Sequence, residues 1–399
     1  MGIAIYTLTS PLHNELSVKS LTEGFLSKIN LPFTFKGEDF SDYGKADLNL
    51  IFVRTGGTEN IFKQKEEVIL SAAKHPVYLL ASDTSNSLPA SLEILSYLVQ
   101  RGVKGEIIHG TASLITSRIE KLFKIQSALN KISRCRAAVI GKPSDWLISS
   151  GVNREIVKDK LGLEIEEITI AEVEEAYKNL EEEAACSAEN EFSNKEAEKY
   201  FAGAVKIYRA IKKVVLEHNA DAFTIRCFDL LTSLKNTGCW ALAKLNSEGV
   251  VAGCEGDIPA MLSMIISRAV SGVSGFQANP SRIDSESGEI LFAHCTVPLN
   301  MVKRYQLDTH FESGIGVGIR GFMEEGDVTL FKVAGDISRS FTAEGKLLSC
   351  QSLPNLCRTQ MLIKLDNKED CKYFFREPIG NHHIIIPGRF KEILDGILR

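Results

Sequence analysis

The chain has 399 residues, is 44% hydrophobic and 24% charged, and carries a formal net charge of −5. That length suits two or three domains with a core large enough to need no disulfide staples. The acidic balance, with Lys and Arg dispersed, argues against a nucleic-acid surface, and no apolar stretch reaches the roughly 18–20 residues of a membrane span. Nine cysteines occur, an odd number with no CxxC pair, which points to reduced thiols in a cytoplasmic protein. The start "MGIAIYTLTS" shows no basic segment followed by an apolar one, so no secretory signal is expected. Gly2 does not make a myristoylation motif, because Tyr6 stands where Ser or Thr is usual.

Residues 1–133 alternate strand and helix signals. "IAIYTL", "ADLNLIFV", "PVYLLAS" and "GEIIHG" read as buried strands, and the segments between them have helical spacing. Such alternation with short connections predicts a parallel sheet covered on both faces. A second α/β unit, residues 134–219, opens on the strand-like "CRAAVI" and a turn into a helix at "GKPSDW". It continues through strongly charged helices, including "EVEEAYKNLEEEAAC" and "KEAEKYFAGAVKIYRAIKKVVLEH", whose charges read as solvated faces. Residues 220–399 begin with a strand "ADAFTIRCFDLL", a helix "KNTGCWALAKLNSEG", a strand "VVAGCEGD" and a helix "IPAMLSMIISRAVSG". From Gly275 onward short β segments and turns dominate, which predicts an antiparallel sheet or barrel. The expected fold is therefore α/β: two doubly wound N-terminal domains, then a β-rich, barrel-like C-terminal domain.

Chemistry concentrates in that last part. In "GCEGDIPAML", Asp257 precedes a helix with Pro259 in its first turn, so it reads as the N-cap. Glu255 has no such structural role: it follows an apolar strand beside glycines, where a carboxylate is costly unless paired or metal-bound. "FQANPSRID" and "LFAHCTVPLN" bring Gln277, Asn279 and His294 to strand ends, and "GNHH" opens another strand with His382 and His383. Oxygen and imidazole donors together suit Mn²⁺ or another divalent ion. Arg226 and Arg320 are candidates to meet a polyhydroxy or anionic substrate, and His310 with Glu312 is placed to line the same pocket. Cys254 and Cys295 flank the candidate ligands and read as small apolar packing. "VRTGGTE" lies at the C-terminal end of a parallel strand, where such sheets bind ligands.

The run "FTIRCFDLL…GCEGDIPAML…GFQANPSRID…FAHCTVPLNM…GNHHIIIPG" resembles the C-terminal half of the L-fucose/L-arabinose isomerase superfamily, and most of all its fucose-isomerase-like branch of largely unassigned substrate. The resemblance spans residues 220–390, while the order of residues 1–219 is compatible with that family's N-terminal domains. It implies that Glu255 is a metal ligand and acid/base group; Asp257 is a further catalytic candidate, since it or Asp229 could move in where a family carboxylate is missing. Asn279 falls where the family has a second metal-binding carboxylate, and His294 falls on a metal-binding histidine. One of His382 and His383 matches the C-terminal metal histidine, with His383 preferred. It further implies a homo-oligomer with sites near subunit interfaces, in which Arg54 and Thr58 of a neighbouring subunit contact a small-molecule sugar. Asn279 and Phe228 both replace family carboxylates. The expected activity is metal-dependent aldose–ketose isomerisation through an enediolate. The alternatives are a sugar-binding or regulatory relative without turnover, and an epimerase or lyase on the same fold.

Overall fold

The computed structural model describes residues 2–72, 76–181, 190–193 and 195–398. Cys186 and the acidic run 182–189 thus lie outside the described residues. The chain forms two compact units, Met1–Asn130 and Lys131–Arg399.

In the first unit the order is β1 (Ile3–Leu8), α1 (Glu15–Leu26), β2 (Thr34–Gly37), β3 (Leu48–Val53), α2 (Glu59–Ala72), β4 (Val77–Ala81), α3 (Ser87–Gln100), β5 (Gly105–Ile108) and α4 (Ala112–Ile132). The strands make one parallel sheet in the order β2-β1-β3-β4-β5. Side chains alternate between its faces. Ile3 and Ile5 pack with Leu26 of α1 and Ile115, Ile119 and Leu122 of α4, whereas Ala4 and Tyr6 pack with Phe62 of α2 and Ile94 of α3. A strand buried on both faces must be apolar at every position, which is why these strands are legible as unbroken runs.

The second unit continues with β6 (Arg136–Ile140), α5 (Arg154–Leu161), β7 (Glu164–Ile168), α6 (Ile170–Asn179), α7 (Lys195–Glu217), β8 (Ala222–Ile225), α8 (Phe228–Ser233), α9 (Cys239–Glu248), β9 (Val251–Gly253) and α10 (Ile258–Ser271). Its parallel sheet, β7-β6-β8-β9, draws strands from both sides of residue 220. Two local expectations change. The strand starting at Ala222 stops at Ile225, and the chain turns into α8 at Phe228 because Arg226 is fastened to Asp145 and Asp229. After β6 no helix follows Ser144. Its N–H donates to the Glu255 carbonyl at 2.9 Å, which diverts the chain into a loop until α5 begins at Arg154.

The remainder is β10 (Phe276–Asp284), β11 (Glu289–His294), β12 (Arg304–Asp308), β13 (Gly318–Phe322), β14 (Gly326–Val333), β15 (Ser340–Gln351), β16 (Thr359–Leu365), α11 (Cys371–Arg376), β17 (His383–Pro387) and α12 (Lys391–Ile397). Six of these strands close an antiparallel barrel in the order β10-β11-β16-β15-β14-β17, leaving no free edge, and β12 and β13 form a separate ribbon. The barrel interior is filled by Phe276, Ile290, Phe292, Leu330, Ala343, Met361 and Ile385. Helix α10 is apolar nearly all round and buried along most of its length, because it packs both on β8 and β9 and on β14 and β17. The α/β-then-barrel architecture is therefore as expected. Among the described residues no helix is long and apolar enough to cross a membrane.

Phe292 is fully buried in the barrel. Phe292→Ala is expected to lower unfolding free energy by about 3–5 kcal/mol in urea titration, the cost of a large unfilled cavity.

Candidate metal and substrate site

The C-terminal ends of the parallel strands β8 and β9 and one end of the barrel line a common pocket. After β9 the chain turns sharply through Cys254-Glu255-Gly256-Asp257. Glu255 has φ +63°, the left-handed region, which costs a residue with a side chain of order 1–3 kcal/mol and persists only when neighbours enforce it. They do. Gln277 of β10 grips Cys254 from both sides: the Cys254 N–H donates to Oε1 at 2.9 Å, and Nε2 donates to the Cys254 carbonyl at 3.3 Å. The Gly256 N–H donates to the Ile225 carbonyl at 2.9 Å. Gly256 is itself at φ +68°, and a Cβ there would meet the Lys142 carbonyl at 2.5 Å, so only glycine fits.

This turn aims the Glu255 carboxylate at two imidazoles. Oε1 lies 3.5 Å from His294 Nε2 and 3.4 Å from His382 Nε2, while Trp146 Nε1 donates to Oε2 at 2.7 Å. One donor atom from each of Glu255, His294 and His382 lies within 4.8 Å of the others, and all three residues are buried. The barrel register explains the convergence. Strand β10 runs antiparallel to both β11 and β17, with Asn279 opposite Ala293 and Ala278 opposite His383. His294 at the end of β11 and His382 just before β17 therefore flank Asn279.

Asn279 Oδ1 and His382 Nε2 are buried without a hydrogen-bond partner. Such atoms are rare unless something binds them. Two imidazole nitrogens, a carboxylate oxygen and an amide oxygen fit a divalent cation of Mn²⁺ type.

Asp257 stands behind this set rather than in the pocket. Its Oδ1 accepts the Ala260 N–H at 2.9 Å, capping α10 as expected. Its Oδ2 accepts from His382 Nδ1–H at 2.8 Å and lies 3.5 Å from Lys332 Nζ. The carboxylate thus fixes the ring so that Nε2 faces Glu255, the arrangement by which carboxylates orient metal-binding histidines. Burial opposes every charge here but is outweighed. The two histidines hold the Glu255 carboxyl well below the usual carboxylate range, and Lys332 and His382 do the same for Asp257. Burial pulls His382 down, yet Asp257 and Glu255 push it up to about 9 in the metal-free protein.

His383, the sequence-favoured ligand, faces away. Neighbouring residues entering a strand point to opposite sides. Its ring sits among Phe292, Phe341, Tyr373 and Phe374, the Tyr373 hydroxyl bonds Nε2 at 2.9 Å, and Nδ1–H donates to the Asn381 carbonyl at 3.1 Å. Burial pulls it down to about 3. His382 is the histidine that joins the cluster.

The pocket encloses about 460 Å³, open solvent included, and its wall includes Glu255, Asn279, His294, His310, Glu312 and Phe228. Burial, with Arg358 also nearby, brings His310 down to about 4, so its ring is neutral near pH 7. The three expected arginine contacts are engaged elsewhere. Arg226 is held by Asp145, Asp229 and the Pro143 carbonyl, and Arg320 by Asp308. Arg54, in the first unit, is held by Thr22, Thr9 and Glu15, and Thr58 bonds the Thr55 carbonyl. Trp146 and Lys332 were not anticipated. Lys332 had a signal, since it shares its face of β14 with the inward Val328 and Leu330, where a lone charge needs a partner. Trp146 follows the C-terminal end of β6, a position that favours ligand contacts.

Asp257→Ala is expected to cost about 3–5 kcal/mol in urea titration, since it leaves Lys332 buried without its counter-charge. A pH dependence follows for the metal-free protein. His310 and His383 have folded-state pKa values of about 4 and about 3, so below roughly 6.5 the unfolded chain binds more protons and stability falls with acid. His382, raised to about 9, works oppositely: its stabilisation is complete below roughly 6.5 and is lost as pH rises through 9. Thermal unfolding should show a maximum near pH 6.5, with His383→Phe flattening the acid side by at most about 1.4 kcal/mol per pH unit.

Comparison with known proteins points to sugar isomerases. The family model of the L-arabinose isomerase central domain matches residues 147–272. The sulfoquinovose isomerase of Alkalicoccus urumqiensis is 24% identical over 231 residues, and that of Priestia aryabhattai 24% over 237, each match covering 55% of this chain and 52% of the relative. The sulfoquinovose isomerase of Clostridium sp. (strain MSTE9) is 26% identical over 189 residues, 45% of this chain and 42% of the relative. The chain spans about half the length of the curated relatives it matches. The matched part of the chain is thus similar to proteins of an L-arabinose/L-fucose isomerase-like superfamily.

Proposed function

We propose that the protein is a divalent-metal-dependent aldose–ketose isomerase acting on a sugar or sugar derivative through an enediolate. The observation that carries this reading is the convergence of Glu255, His294 and His382 beside the unpartnered Asn279 Oδ1. The relatives named sulfoquinovose isomerase support sugar isomerisation and make a sulfonated sugar the first substrate to test. Cytoplasmic location and a homo-oligomer with sites near subunit interfaces belong to the same reading through the family resemblance.

Glu255, His294, His382 and Asn279 would hold the ion. When bound, a divalent cation supplies Lewis acidity toward adjacent hydroxyl and carbonyl oxygens of a sugar. The chain's own groups would do the rest. Glu255 is the carboxylate placed to take and return a proton between neighbouring carbons, and Trp146 fixes which of its oxygens faces the histidines. Glu312 also lines the pocket and is the carboxylate that would stand in for those replaced at Asn279 and Phe228. Neutral His310 offers a hydrogen-bonding ring for a hydroxyl group. Phe228 on the same wall favours a second reading, in which a sugar is bound without turnover.

Interconversion over a panel of sugars and sulfonated sugars, with metal removed and restored, tests the proposal. Chelation should abolish turnover and Mn²⁺ restore it, and Glu255→Gln should lose roughly 10²–10⁴-fold in kcat, the usual contribution of a positioned acid/base. Unchanged turnover in Glu255→Gln would refute the role given to that residue. Sugar binding with no turnover on any panel member would favour the second reading.

A further inference from the structure

Five of the eight free cysteines among the described residues, Cys227, Cys239, Cys254, Cys295 and Cys357, line the pocket that holds Glu255. Two of them touch. Cys227 follows β8 and Cys254 follows β9, neighbouring parallel strands, and their Sγ atoms are 3.1 Å apart. Both thiols are buried from bulk solvent yet face the pocket, so a small reagent reaches them by the route a sugar would take. Each is directly followed by a residue of the site wall, Phe228 after Cys227 and Glu255 after Cys254.

We propose that Cys227 and Cys254 are an oxidisable dithiol that closes to a disulfide with a hydroperoxide as oxidant, and that closure disables the adjoining Glu255 site. The second half rests on the metal-site reading above; the first does not. Cys227 Sγ takes the terminal oxygen as the O–O bond breaks, giving a sulfenic acid and an alcohol. Cys254 Sγ then displaces the hydroxyl, an S–S bond forms, and water leaves with the thiol proton. The two thiols give up two electrons and the hydroperoxide takes them; a reducing dithiol reverses the reaction.

Bond formation draws the sulfurs together by roughly 1 Å, to an S–S bond of about 2.0 Å. The Cys254 backbone resists, because Gln277 holds its N–H and carbonyl and Thr224 Oγ1 reaches the same carbonyl at 3.3 Å. The strain falls on the next residue, Glu255, already in a left-handed conformation that its neighbours enforce. Its carboxylate is re-aimed away from His294 and His382, and the cation site loses an oxygen donor.

The 399-residue chain is treated with tert-butyl hydroperoxide, alkylated and digested without reduction, while Mn²⁺ binding is followed on the same samples by calorimetry. The expected result is a cross-linked peptide pair carrying Cys227 and Cys254, loss of Mn²⁺ binding in parallel, and recovery of both after dithiothreitol. Mn²⁺ binding by Cys227→Ser should withstand the oxidant, and phenylarsine oxide, a dithiol reagent, should bridge the reduced wild-type pair. Full alkylation of both cysteines while Cys135 or Cys350 oxidises would overturn the proposal, as would a cross-link that leaves Mn²⁺ binding intact. A cross-link in a protein whose reduced form binds no Mn²⁺ would keep the dithiol and sink the metal-site reading instead.

Discussion

The carboxylate of Asp257 is the group on which the site depends. It is fully buried, caps α10, accepts from His382 Nδ1–H and balances Lys332. A carboxylate in that position would be very costly alone. With a helix N-terminus, an imidazole and an ammonium around it, the cost is offset, and the same contacts fasten the turn after β9 to the barrel. Two side chains on different elements, Glu255 and His382, are thereby brought to face one another. Removing Asp257 therefore does more than loosen a helix end; it frees the ring that completes the donor set.

Much of the fold was legible because its physics is local. Strands covered on both faces must be apolar throughout, and the runs around Ile5, Ile51 and Leu79 announce themselves for that reason. Glu255 was legible because a carboxylate after an apolar strand has no local excuse, whereas Asp257 had one and also proved to have a second role. What stayed hidden depends on partners distant in sequence. His382 and His383 differ only in which way a strand entrance turns them, and the pairing of Ala278 with His383 settles that. Arg54, Arg226 and Arg320 look like free cations in a sequence, and each has acidic or hydroxyl partners in the fold. Trp146 reaches Glu255 across 109 positions, a contact no local pattern encodes.

The site is economical in carboxylates. The resembled family pattern has carboxylates where Asn279 and Phe228 stand, and here Glu255 is the carboxylate grouped with His294 and His382, with Glu312 also on the pocket wall. A neutral amide at Asn279 still offers an oxygen to a cation but cannot move a proton. In the reaction proposed above, proton transfer would fall to Glu255, whose backbone is held in the left-handed region by its neighbours.

Glu255, His294 and His382 are proposed to form one cation site, with His383 outside it. Electron paramagnetic resonance of bound Mn²⁺, with nitrogen couplings resolved by pulsed methods, tests this most directly. Imidazole couplings should persist in His383→Phe and be diminished in both His294→Leu and His382→Leu. Couplings lost in His383→Phe but kept in His382→Leu, or Mn²⁺ binding with no imidazole coupling, would contradict it.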